Sequence, residues 1–244
     1  MKTILITGAS SGIGKSLAQH YSEHGWHVIA GGRNEQALNE LVSQYANVTP
    51  LVADLCDEQA VINAAAHLPE LDVMLLNAGS CEYVDDPIHF DAALFQRVIN
   101  TNLMTVAYCL NHWLCKVKQG GQLAFTSSSA SFLPLPRAQA YGASKAALSY
   151  MAKTLSIDLA PHHIDVSLIN PGFVETPLTD KNDFPMPGRI SSEDAAKAIY
   201  HGLSKRRHTI NFPSFFTLVL SMLARLPFSW WRAFAVRNLI RKTS

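Results

Sequence analysis

Residues 7–14 are T-G-A-S-S-G-I-G, and these glycines lie between two different sequence periodicities. An apolar run at Lys2–Thr7 has the length of a short strand, and Ile13–His24 has the period of a helix. Glycines at such a junction permit a tight turn and a close approach to a pyrophosphate, which the helix N-terminus attracts. We therefore expect a phosphate-binding turn made of Gly8, Ser10, Ser11, Gly12, Ile13 and Gly14.

Outward from this turn, short apolar runs alternate with longer helical patterns. Runs rich in Val, Ile and Leu are typical of parallel strands buried on both faces, and repeated β-α-β order predicts right-handed crossovers. The prediction is an α/β fold, a Rossmann-like doubly wound parallel sheet of about seven strands with helices on both faces. The predicted strands are Lys2–Thr7, His27–Ala30, Val48–Val52, Val73–Leu76, Gln122–Ser127, Asp165–Ile169 and Thr209–Phe212. The predicted helices are Ile13–His24, Glu35–Tyr45, Glu58–His67, Ala92–Lys118, Ala138–Leu159 and Ser192–Leu203.

Few features divide the chain. No linker rich in Gly, Ser or Pro interrupts residues 1–212, which are predicted to form a single catalytic domain, and residues 213–244 are predicted to be an amphipathic, basic helical extension. The stretch Glu175–Arg189 contains three prolines and predicts a loop of about fifteen residues. It follows the sixth predicted strand, and ligands of such sheets bind beyond the carboxyl ends of the strands. We therefore expect a lid or binding loop there.

Composition excludes several classes of protein. With 48% hydrophobic and 16% charged residues, the chain can bury a large core and is not predicted to be disordered. The first apolar run is too short for a signal peptide, and no apolar run reaches the roughly 20 residues that span a bilayer. The four cysteines form no C-x-x-C pair and the histidines show no ligand spacing. Free thiols in a reducing cytoplasm and no metal site are the expectation.

A tyrosine and a lysine are spaced by one helical turn in Y-G-A-S-K at residues 141–145. Positions i and i+4 lie on one face of a helix, so the phenol and the ammonium can share a site. A nearby ammonium lowers the pKa of tyrosine from its usual value of about 10. Such a tyrosine suits a general acid that works near neutral pH. Taken alone, however, Y-x-x-x-K is common on helix surfaces.

Other motifs accompany this pair. T-G-A-S-S-G-I-G at 7–14, Asp54, N-A-G at 77–79, Asn102, Ser128, Y-x-x-x-K at 141–145 and P-G at 171–172 follow in order. Together they resemble the short-chain dehydrogenase/reductase family, in its ordinary class, over residues 1 to 212. Leu76 stands where the family most often has Asn, and we expect little effect because N-A-G is intact. The resemblance implies hydride transfer with a nicotinamide cofactor, and the Tyr–Lys spacing favours carbonyl over C=C chemistry.

The resemblance also implies roles for individual residues. Tyr141 would exchange a proton with the substrate oxygen, while Lys145 would lower the pKa of Tyr141 and hold the nicotinamide ribose. Ser128, the middle of three serines, would hydrogen-bond the substrate carbonyl. Asn102 would position a water in a proton relay that reaches Lys145. The other implied cofactor contacts are Asp54 and Leu55 at the adenine, Asn77, Ala78 and Gly79 on the adenosine side, and Pro171, Gly172, Val174 and Thr176 along the nicotinamide half.

The end of the second predicted strand bears on cofactor choice. Members of the family that use NAD place an acid there to accept the ribose 2′-OH, whereas residues 31–34 are G-G-R-N and contain no acid. Gly32 occupies that position, and the guanidinium of Arg33 suits a phosphate. With Asn34 beside it, this segment predicts NADP(H) as the cofactor.

The formal charge of +1 is divided unevenly. Residues 1–194 hold all 19 acidic residues and 11 of the 20 Lys and Arg, and the other nine basic residues lie in residues 195–244. Three of these nine are Lys205–Arg207, and we expect them to border the C-terminal helices. Beyond Pro213 one polar stripe is surrounded by large apolar residues, and Trp230 begins a stretch whose only charges are basic. The segment either docks on an anionic membrane surface or folds over the substrate pocket or a neighbouring subunit. Nucleic acid is not a predicted partner. The polar stripe is Ser214, Thr217, Ser221 and Arg225, and the last basic residues are Arg232, Arg237, Arg241 and Lys242.

These patterns predict a cytoplasmic NADPH-dependent reductase of an apolar ketone, aldehyde or 3-oxoacyl compound, reversible as an alcohol dehydrogenase. The pocket would be built from the Ser128–Ala138 and 175–189 loops, with the C-terminal helices as a further candidate wall. The resemblance implies a homodimer or homotetramer. The alternative is a protein that binds NADP(H) as a regulator or scaffold without turnover. The residues expected to make the pocket apolar are Phe132, Leu133, Leu135 and Phe173.

Overall fold

Parallel strands form one seven-stranded sheet in the computed structural model of the chain, which describes residues 1–240. The strands are β1 (Thr3–Thr7), β2 (His27–Gly32), β3 (Val48–Val52), β4 (Leu71–Leu76), β5 (Val117–Thr126), β6 (Asp165–Pro171) and β7 (Thr209–Phe212). Their spatial order is β3-β2-β1-β4-β5-β6-β7, with every neighbouring pair parallel. The order reverses between β1 and β4, which is where such sheets open a crevice for ligands. The predicted fold class is confirmed.

Helices cover both faces of the sheet. They are α1 (Gly12–Glu23), α2 (Glu35–Gln44), α3 (Glu58–Ala65), α4 (Ala92–Ile99), α5 (Thr105–Trp113), α6 (Gln139–Asp158), α7 (Ser192–Ser204), α8 (Ser214–Leu223) and α9 (Phe228–Asn238). One apolar core lies between the sheet and α1, α2 and α7, and another lies between the sheet and α3, α5 and α6. This double burial explains why the strands are almost continuously apolar.

Local sequence explains where several helices begin. The side chain of Asn34 accepts a hydrogen bond from Ala37 N at 3.1 Å and starts α2. Asp91 accepts from Leu94 N at 2.8 Å and starts α4, and Ser191 accepts from Asp194 N at 3.0 Å and starts α7. Each side chain satisfies a backbone N–H that the first helical turn leaves without a partner.

The predicted helix Ala92–Lys118 agrees with the structure over Ala92–Lys116, where the chain stays helical, but its end is wrong. A wide π-helical turn at Asn100–Met104 separates α4 from α5, and a short turn at Leu114–Lys116 ends the helical part. Val117 and Lys118 instead begin β5, where Val117 pairs with Leu71. The apolar spacing of this stretch is compatible with a regular helix and with one that contains a π-helical turn, so periodicity did not reveal the turn. The other predicted elements overlap the observed ones with small differences at their ends.

The C-terminal segment forms a helical hairpin of α8 and α9, joined at residues 224–227. Trp231 and Ala235 of α9 pack with Leu133, and Phe216 of α8 lies against Gly172. The hairpin thus covers the carboxyl end of the sheet, as one of the two interpretations expected. Arg241 and Lys242 lie outside the described residues, and the division into a domain of residues 1–212 and an extension of residues 213–244 stays a prediction.

The basic residues that precede β7 lie away from the C-terminal hairpin. Lys205–Arg207 precede β7 at the amino ends of the strands, where Arg206 bonds Asp165 and the carbonyl of Gly120. They therefore do not border α8 and α9, which follow the carboxyl end of β7, and that expectation was wrong. Among the described residues, no helix combines the length and the apolar character needed to cross a membrane.

Candidate active site

A cavity of about 410 Å³ opens at the carboxyl ends of β1 to β6. Every residue predicted for the site lines this cavity except Asn102. The predicted lining residues are Gly8, Ser10, Ser11, Gly12, Ile13, Gly14, Arg33, Asn34, Asp54, Leu55, Asn77, Ala78, Gly79, Ser128, Tyr141, Lys145, Pro171, Gly172, Val174 and Thr176. Residues scattered over the sequence thus meet because parallel strands all end at one edge of the sheet.

The glycine turn depends on glycine at three points. Gly8 has φ +71°, and a Cβ there would lie 3.0 Å from the backbone of Ala78. A Cβ on Gly14 would lie 2.1 Å from the carbonyl oxygen of Gly8, which no side chain could tolerate. Gly12 has φ +51°, and its Cβ would meet Thr176 at 2.9 Å. The turn is therefore a close-packed backbone cradle at the start of α1, with the loop after β6 across it.

Asn77 holds this turn in place. Its side-chain Nδ2 donates to the carbonyl of Thr7 at 3.1 Å. The hydroxyl of Thr7 accepts from the backbone N–H groups of Asn77 at 2.9 Å and of Ala78 at 3.0 Å. These bonds join the ends of β1 and β4, the two strands between which the sheet order reverses. Sequence reasoning assigned Asn77 to the cofactor and missed this partnership with Thr7.

Tyr141 and Lys145 share one face of α6, as their spacing predicted. The Nζ of Lys145 lies 5.8 Å from the centroid of the Tyr141 ring. It donates to the carbonyl of Thr126 at 2.8 Å, which fixes the ammonium at the end of β5. Thr126 lines the cavity, and its buried hydroxyl has no hydrogen-bond partner within the described residues.

The pKa values in this pair differ from the expectation. Burial raises the pKa of Tyr141, and a hydrogen bond with Ser128 opposes the rise without cancelling it. Tyr141 as a residue is partly exposed, but its phenol is surrounded by protein, and the phenol is the group that titrates. Burial lowers the pKa of Lys145 to about 8. In this structure burial outweighs any lowering of the Tyr141 pKa by the neighbouring Lys145 ammonium.

The structure separates the three neighbouring serines. Ser128 hydrogen-bonds Tyr141 and also accepts from Ala130 N at 3.1 Å. The hydroxyl of Ser127 donates to the carbonyl of Lys145 at 2.9 Å and contacts Ser149 at 2.7 Å, so it supports α6. Ser129 lies in the short turn after β5 and does not line the cavity. The middle serine is the one placed beside Tyr141.

Asn102 lies behind the cavity wall, in the π-helical turn. Its Nδ2 donates to the carbonyl of Ser80 and to the hydroxyl of Ser144, both at 2.9 Å, and its Oδ1 accepts from Ser80 N at 2.7 Å. A Cβ on Gly79 would lie 3.0 Å from Oδ1 of Asn102 and 3.3 Å from Nζ of Lys145. Both side chains therefore lie against Gly79. Ser144 was missed because a small polar residue within a helix carries no distinctive sequence signal.

The lining of the cavity suits a nicotinamide dinucleotide. A Cβ at Gly8, Gly12 or Gly14 would collide with the surrounding atoms of the turn. Such a turn without side chains is what a pyrophosphate needs to approach the backbone closely. At the far end, Arg33 and Asn34 line the cavity after β2. Among the described residues, the Arg33 guanidinium has no hydrogen bond or ion pair. A free guanidinium without a neighbouring acid suits a phosphate better than a ribose hydroxyl.

A row of aromatic rings, the aromatic wall, adjoins the cavity without lining it, and Tyr83 is its member near Tyr141. The Phe184 ring lies 5.6 Å from the Tyr83 ring and 6.1 Å from the Phe173 ring. Phe173 in turn lies 5.6 Å from Phe216 of α8. The 80–91 segment, the 175–189 loop and the C-terminal hairpin therefore all contribute to one apolar surface. Phe173 was predicted to line the pocket, but it lies behind the cavity lining, and sequence reasoning missed Tyr83, Phe184 and Phe216.

Arg137 joins the loops that carry this wall. Its guanidinium bonds Asp85 at 2.6 Å and Asp183 at 2.8 Å and lies 5.2 Å from the centre of the Tyr83 ring. Three chain segments far apart in sequence meet at this side chain, so no local pattern could have indicated it. Asn182 adds a contact by accepting a hydrogen bond from the Tyr83 hydroxyl at 3.1 Å.

Leu133 and Leu135 have a different place from the one predicted. Instead of lining the cavity, they pack with Trp231, whose indole N–H donates to the carbonyl of Pro134 at 2.8 Å. Phe132 is partly buried in the same loop and does not line the cavity either. This part of the 128–138 loop therefore anchors the hairpin, because the large apolar side chains of α9 need a partner surface.

Known proteins resemble this chain in sequence and in fold. A family model described as "short chain dehydrogenase" matches residues 2–185. An uncharacterized oxidoreductase of Myxococcus xanthus is 34% identical over 225 residues, covering 87% of each chain. Serine 3-dehydrogenase of Agrobacterium fabrum is 30% identical over 222 residues, covering 84% of this chain and 89% of the relative. The crystal structure of a short-chain dehydrogenase from Streptomyces avermitilis superposes with a TM-score of 0.82 at 24% identity, over 97% of this chain and 95% of the other. The chain therefore belongs to the short-chain dehydrogenase/reductase family, whose members are oxidoreductases acting on CH–OH and C=O groups.

Proposed function

We propose that the chain is an NADPH-dependent reductase of an apolar ketone, aldehyde or 3-oxoacyl compound. The observation that carries this proposal is the Tyr141 phenol, bonded to Ser128 and one helical turn from Lys145, at the edge of a cavity with a glycine cradle. The aromatic wall from Tyr83 to Phe216 favours an apolar substrate. Alcohol oxidation is the reverse of the same chemistry.

The chain's own residues supply proton transfer and orientation. The raised pKa of Tyr141 keeps its phenol protonated near neutral pH, which is the form that donates to a carbonyl oxygen. Ser128 would donate a second hydrogen bond to that oxygen and stabilise its developing charge. The Lys145 ammonium would favour the phenolate left behind, and Asn102 would position Ser144 and the Ser80 segment. A nicotinamide bound in the cavity supplies the hydride.

The proposed cofactor is NADP(H). The glycine turn would hold the pyrophosphate, and Arg33 with Asn34 would hold the 2′-phosphate at the end of β2. Asp54 and Leu55 would lie near the adenine, and Pro171, Gly172, Val174 and Thr176 would border the nicotinamide half. Ser10 and Ser11 line the same turn and add hydroxyl groups.

The test is NADPH oxidation with a panel of medium-chain, aromatic and 3-oxoacyl carbonyl compounds. Wild type is expected to turn over at least one apolar compound, and Tyr141→Phe should lower kcat by about 10²–10⁴-fold because general acid catalysis is lost. Tyr150→Phe is the matched control, since Tyr150 is an exposed tyrosine of the same helix. Protein fluorescence should show that NADPH still binds to both variants.

Two results would contradict the proposal. Equal kcat for Tyr141→Phe and wild type would remove Tyr141 from the chemistry. NADPH binding without turnover of any compound would favour the alternative, a regulator or scaffold. Cytoplasmic location and a homodimer or homotetramer complete the proposal and stay predictions.

A further inference from the structure

Helix α8 of the C-terminal hairpin exposes large apolar side chains. In α8 the polar Thr217 is buried, and its hydroxyl donates to the carbonyl of Pro213 at 2.9 Å. Phe215 and Met222 of the same helix face outward, and Phe215 is 80% exposed. A surface helix normally turns its polar side to solvent and its apolar side to the core. In α8 the outward side is apolar as well as the inner side, where Leu220 and Leu223 pack against the Trp231 cluster.

Exposed apolar side chains occur along both helices, and we call them together the hairpin face. In α8 they recur at spacings of three and four residues, which is one helical stripe. In α9 Trp230 is 66% exposed, whereas its neighbour Trp231 is buried against Leu133. The exposed members are Phe215, Leu218, Val219, Met222, Leu226, Phe228, Trp230, Phe234, Val236, Leu239 and Ile240. A concentration of exposed large apolar side chains in so short a segment indicates an interaction site.

The charges on this surface have a single sign. Arg225, Arg232 and Arg237 are exposed on the hairpin, and residues 195–244 contain no Asp or Glu. None of the three arginines forms an ion pair with the described residues. Aromatic and aliphatic side chains interleaved with unpaired arginines are complementary to a surface that is apolar inside and anionic outside, as a lipid bilayer is.

A second copy of the chain fits this surface less well. A two-fold contact through the hairpin face would bring each arginine towards the same basic surface, with no carboxylate of residues 195–244 to pair with it. Like charges at a desolvated contact oppose association. An anionic lipid surface meets both the apolar and the charged requirement.

We propose that the hairpin of α8 and α9 docks the protein on the surface of an anionic lipid bilayer, with the hairpin face in the headgroup region. Docking needs no cofactor and no turnover, so it is independent of the proposed reductase activity. The inner side of the hairpin contacts Gly172 and Phe173 of the candidate site. If the proposed function holds, docking places the substrate side of the cavity at the membrane.

The test is sedimentation of the full chain with lipid vesicles. Vesicles of phosphatidylcholine with an equal part of phosphatidylglycerol should bind the protein at low salt, and phosphatidylcholine alone should bind it less. High salt should weaken binding because it screens the arginines. The triple variant Phe215→Ser, Phe228→Ser, Trp230→Ser should bind at least about tenfold more weakly, since it removes three aromatic side chains from the interface.

A matched control separates the hairpin face from exposed apolar residues in general. Ile62→Ser, Ile88→Ser, Phe90→Ser changes three exposed apolar residues elsewhere and should bind as wild type does. The variant Arg225→Gln, Arg232→Gln, Arg237→Gln should lose the preference for phosphatidylglycerol. Its control, Lys153→Gln, Lys205→Gln, Arg207→Gln, removes three exposed charges outside the hairpin and should keep that preference. Thermal unfolding confirms that each variant is folded.

Three outcomes would overturn the proposal. The first is no binding of wild type to anionic vesicles at low salt. The second is equal loss of binding in the hairpin variant and its control. The third is a hairpin variant that binds vesicles normally but changes the mass of the protein in solution, which would make the hairpin face a contact between copies. A protein that binds vesicles but reduces no carbonyl compound would contradict the proposed function and leave docking intact.

Discussion

Arg33 is a single side chain on which cofactor choice should depend. It follows the last glycine of β2, lines the cavity and has no protein partner among the described residues. Arg33→Ala should lower kcat/KM for NADPH by about 10–100-fold, since hydrogen bonds to a charged group are worth about 1.5–3 kcal/mol. The value for NADH should change little. Steady-state kinetics with both cofactors measures this, with Arg207→Ala as the control for loss of an exposed arginine. An equal loss with both cofactors would show that Arg33 does not read the 2′-phosphate.

Lys145 makes stability depend on pH. Its pKa is about 8 in the folded protein and about 10.5 in the unfolded chain, so the unfolded state binds more protons between these values. Burial of the ammonium therefore costs stability below pH 8, and stability rises as the pH increases from 8 to 10.5. Lys145→Met should stabilise the protein at pH 7 by at most about 3 kcal/mol.

The measurement is thermal unfolding of wild type and Lys145→Met between pH 7 and pH 10. The difference in Tm should be largest at pH 7 and should shrink as the pH rises. Lys153→Met controls for the loss of an exposed lysine on the same helix and should show no such trend. A difference that stays constant with pH would mean that Lys145 is not held with a lowered pKa.

Two tryptophans at the start of α9 should behave in opposite ways. Trp231 is buried with Leu133 and Ala235 and donates to the Pro134 carbonyl, whereas Trp230 faces outward. Trp231→Ala should release the hairpin, because removing a buried tryptophan costs about 3–5 kcal/mol. Trypsin should then cleave at Arg225 and Arg232 on the order of a hundredfold faster, as local opening becomes more frequent.

The comparison with Trp230→Ala makes this test specific. That variant should be cleaved as slowly as wild type, because Trp230 has no role in holding the hairpin. The main thermal transition of both variants should shift little, since the Trp231 cluster is separate from the two cores of the sheet. Equally fast cleavage of wild type and Trp231→Ala would mean that the hairpin is not anchored by this contact.

Local patterns predicted the elements whose physics is local. Strand length, helix period and the glycine junction are properties of neighbouring residues, and the sheet and most helices followed from them. The π-helical turn at Asn100–Met104 was missed because it depends on the hydrogen bonds of Asn102 to Ser80 and Ser144 in other parts of the chain. Arg137 was missed for the same reason. The prediction of a lowered pKa for Tyr141 was wrong, because burial raises this pKa and burial depends on the whole fold.

At the scale of the whole molecule, charge and exposed apolar surface are arranged along the strand direction. The hairpin face lies beyond the carboxyl ends of the strands, on the side of the cavity, while Lys205–Arg207 lie at the opposite edge. The acidic residues all belong to residues 1–194. The near-zero net charge thus results from two regions of opposite sign, and the region that covers the cavity is basic and apolar.

A second exposed apolar face lies on α6, and we expect it to form the contact between copies. Tyr150 is 77% exposed and Ile157 is 73% exposed, and their spacing of seven residues places them on one side of the helix. Tyr150→Glu with Ile157→Glu should raise the dissociation constant at least about a hundredfold, since an unpaired buried charge costs about 3–5 kcal/mol. Light scattering after gel filtration should show a monomer.

The hairpin variant serves as the control for this prediction. Phe215→Ser, Phe228→Ser, Trp230→Ser removes a similar apolar surface but should keep the mass of the wild-type oligomer, because the hairpin face is assigned to lipid. If the α6 variant keeps the wild-type mass and the hairpin variant becomes monomeric, the two faces have the opposite roles. The side of α6 has two exposed apolar side chains with the exposed Lys153 between them, whereas the hairpin face has many and is bordered by three unpaired arginines. This difference assigns the hairpin face to lipid and the side of α6 to a second copy.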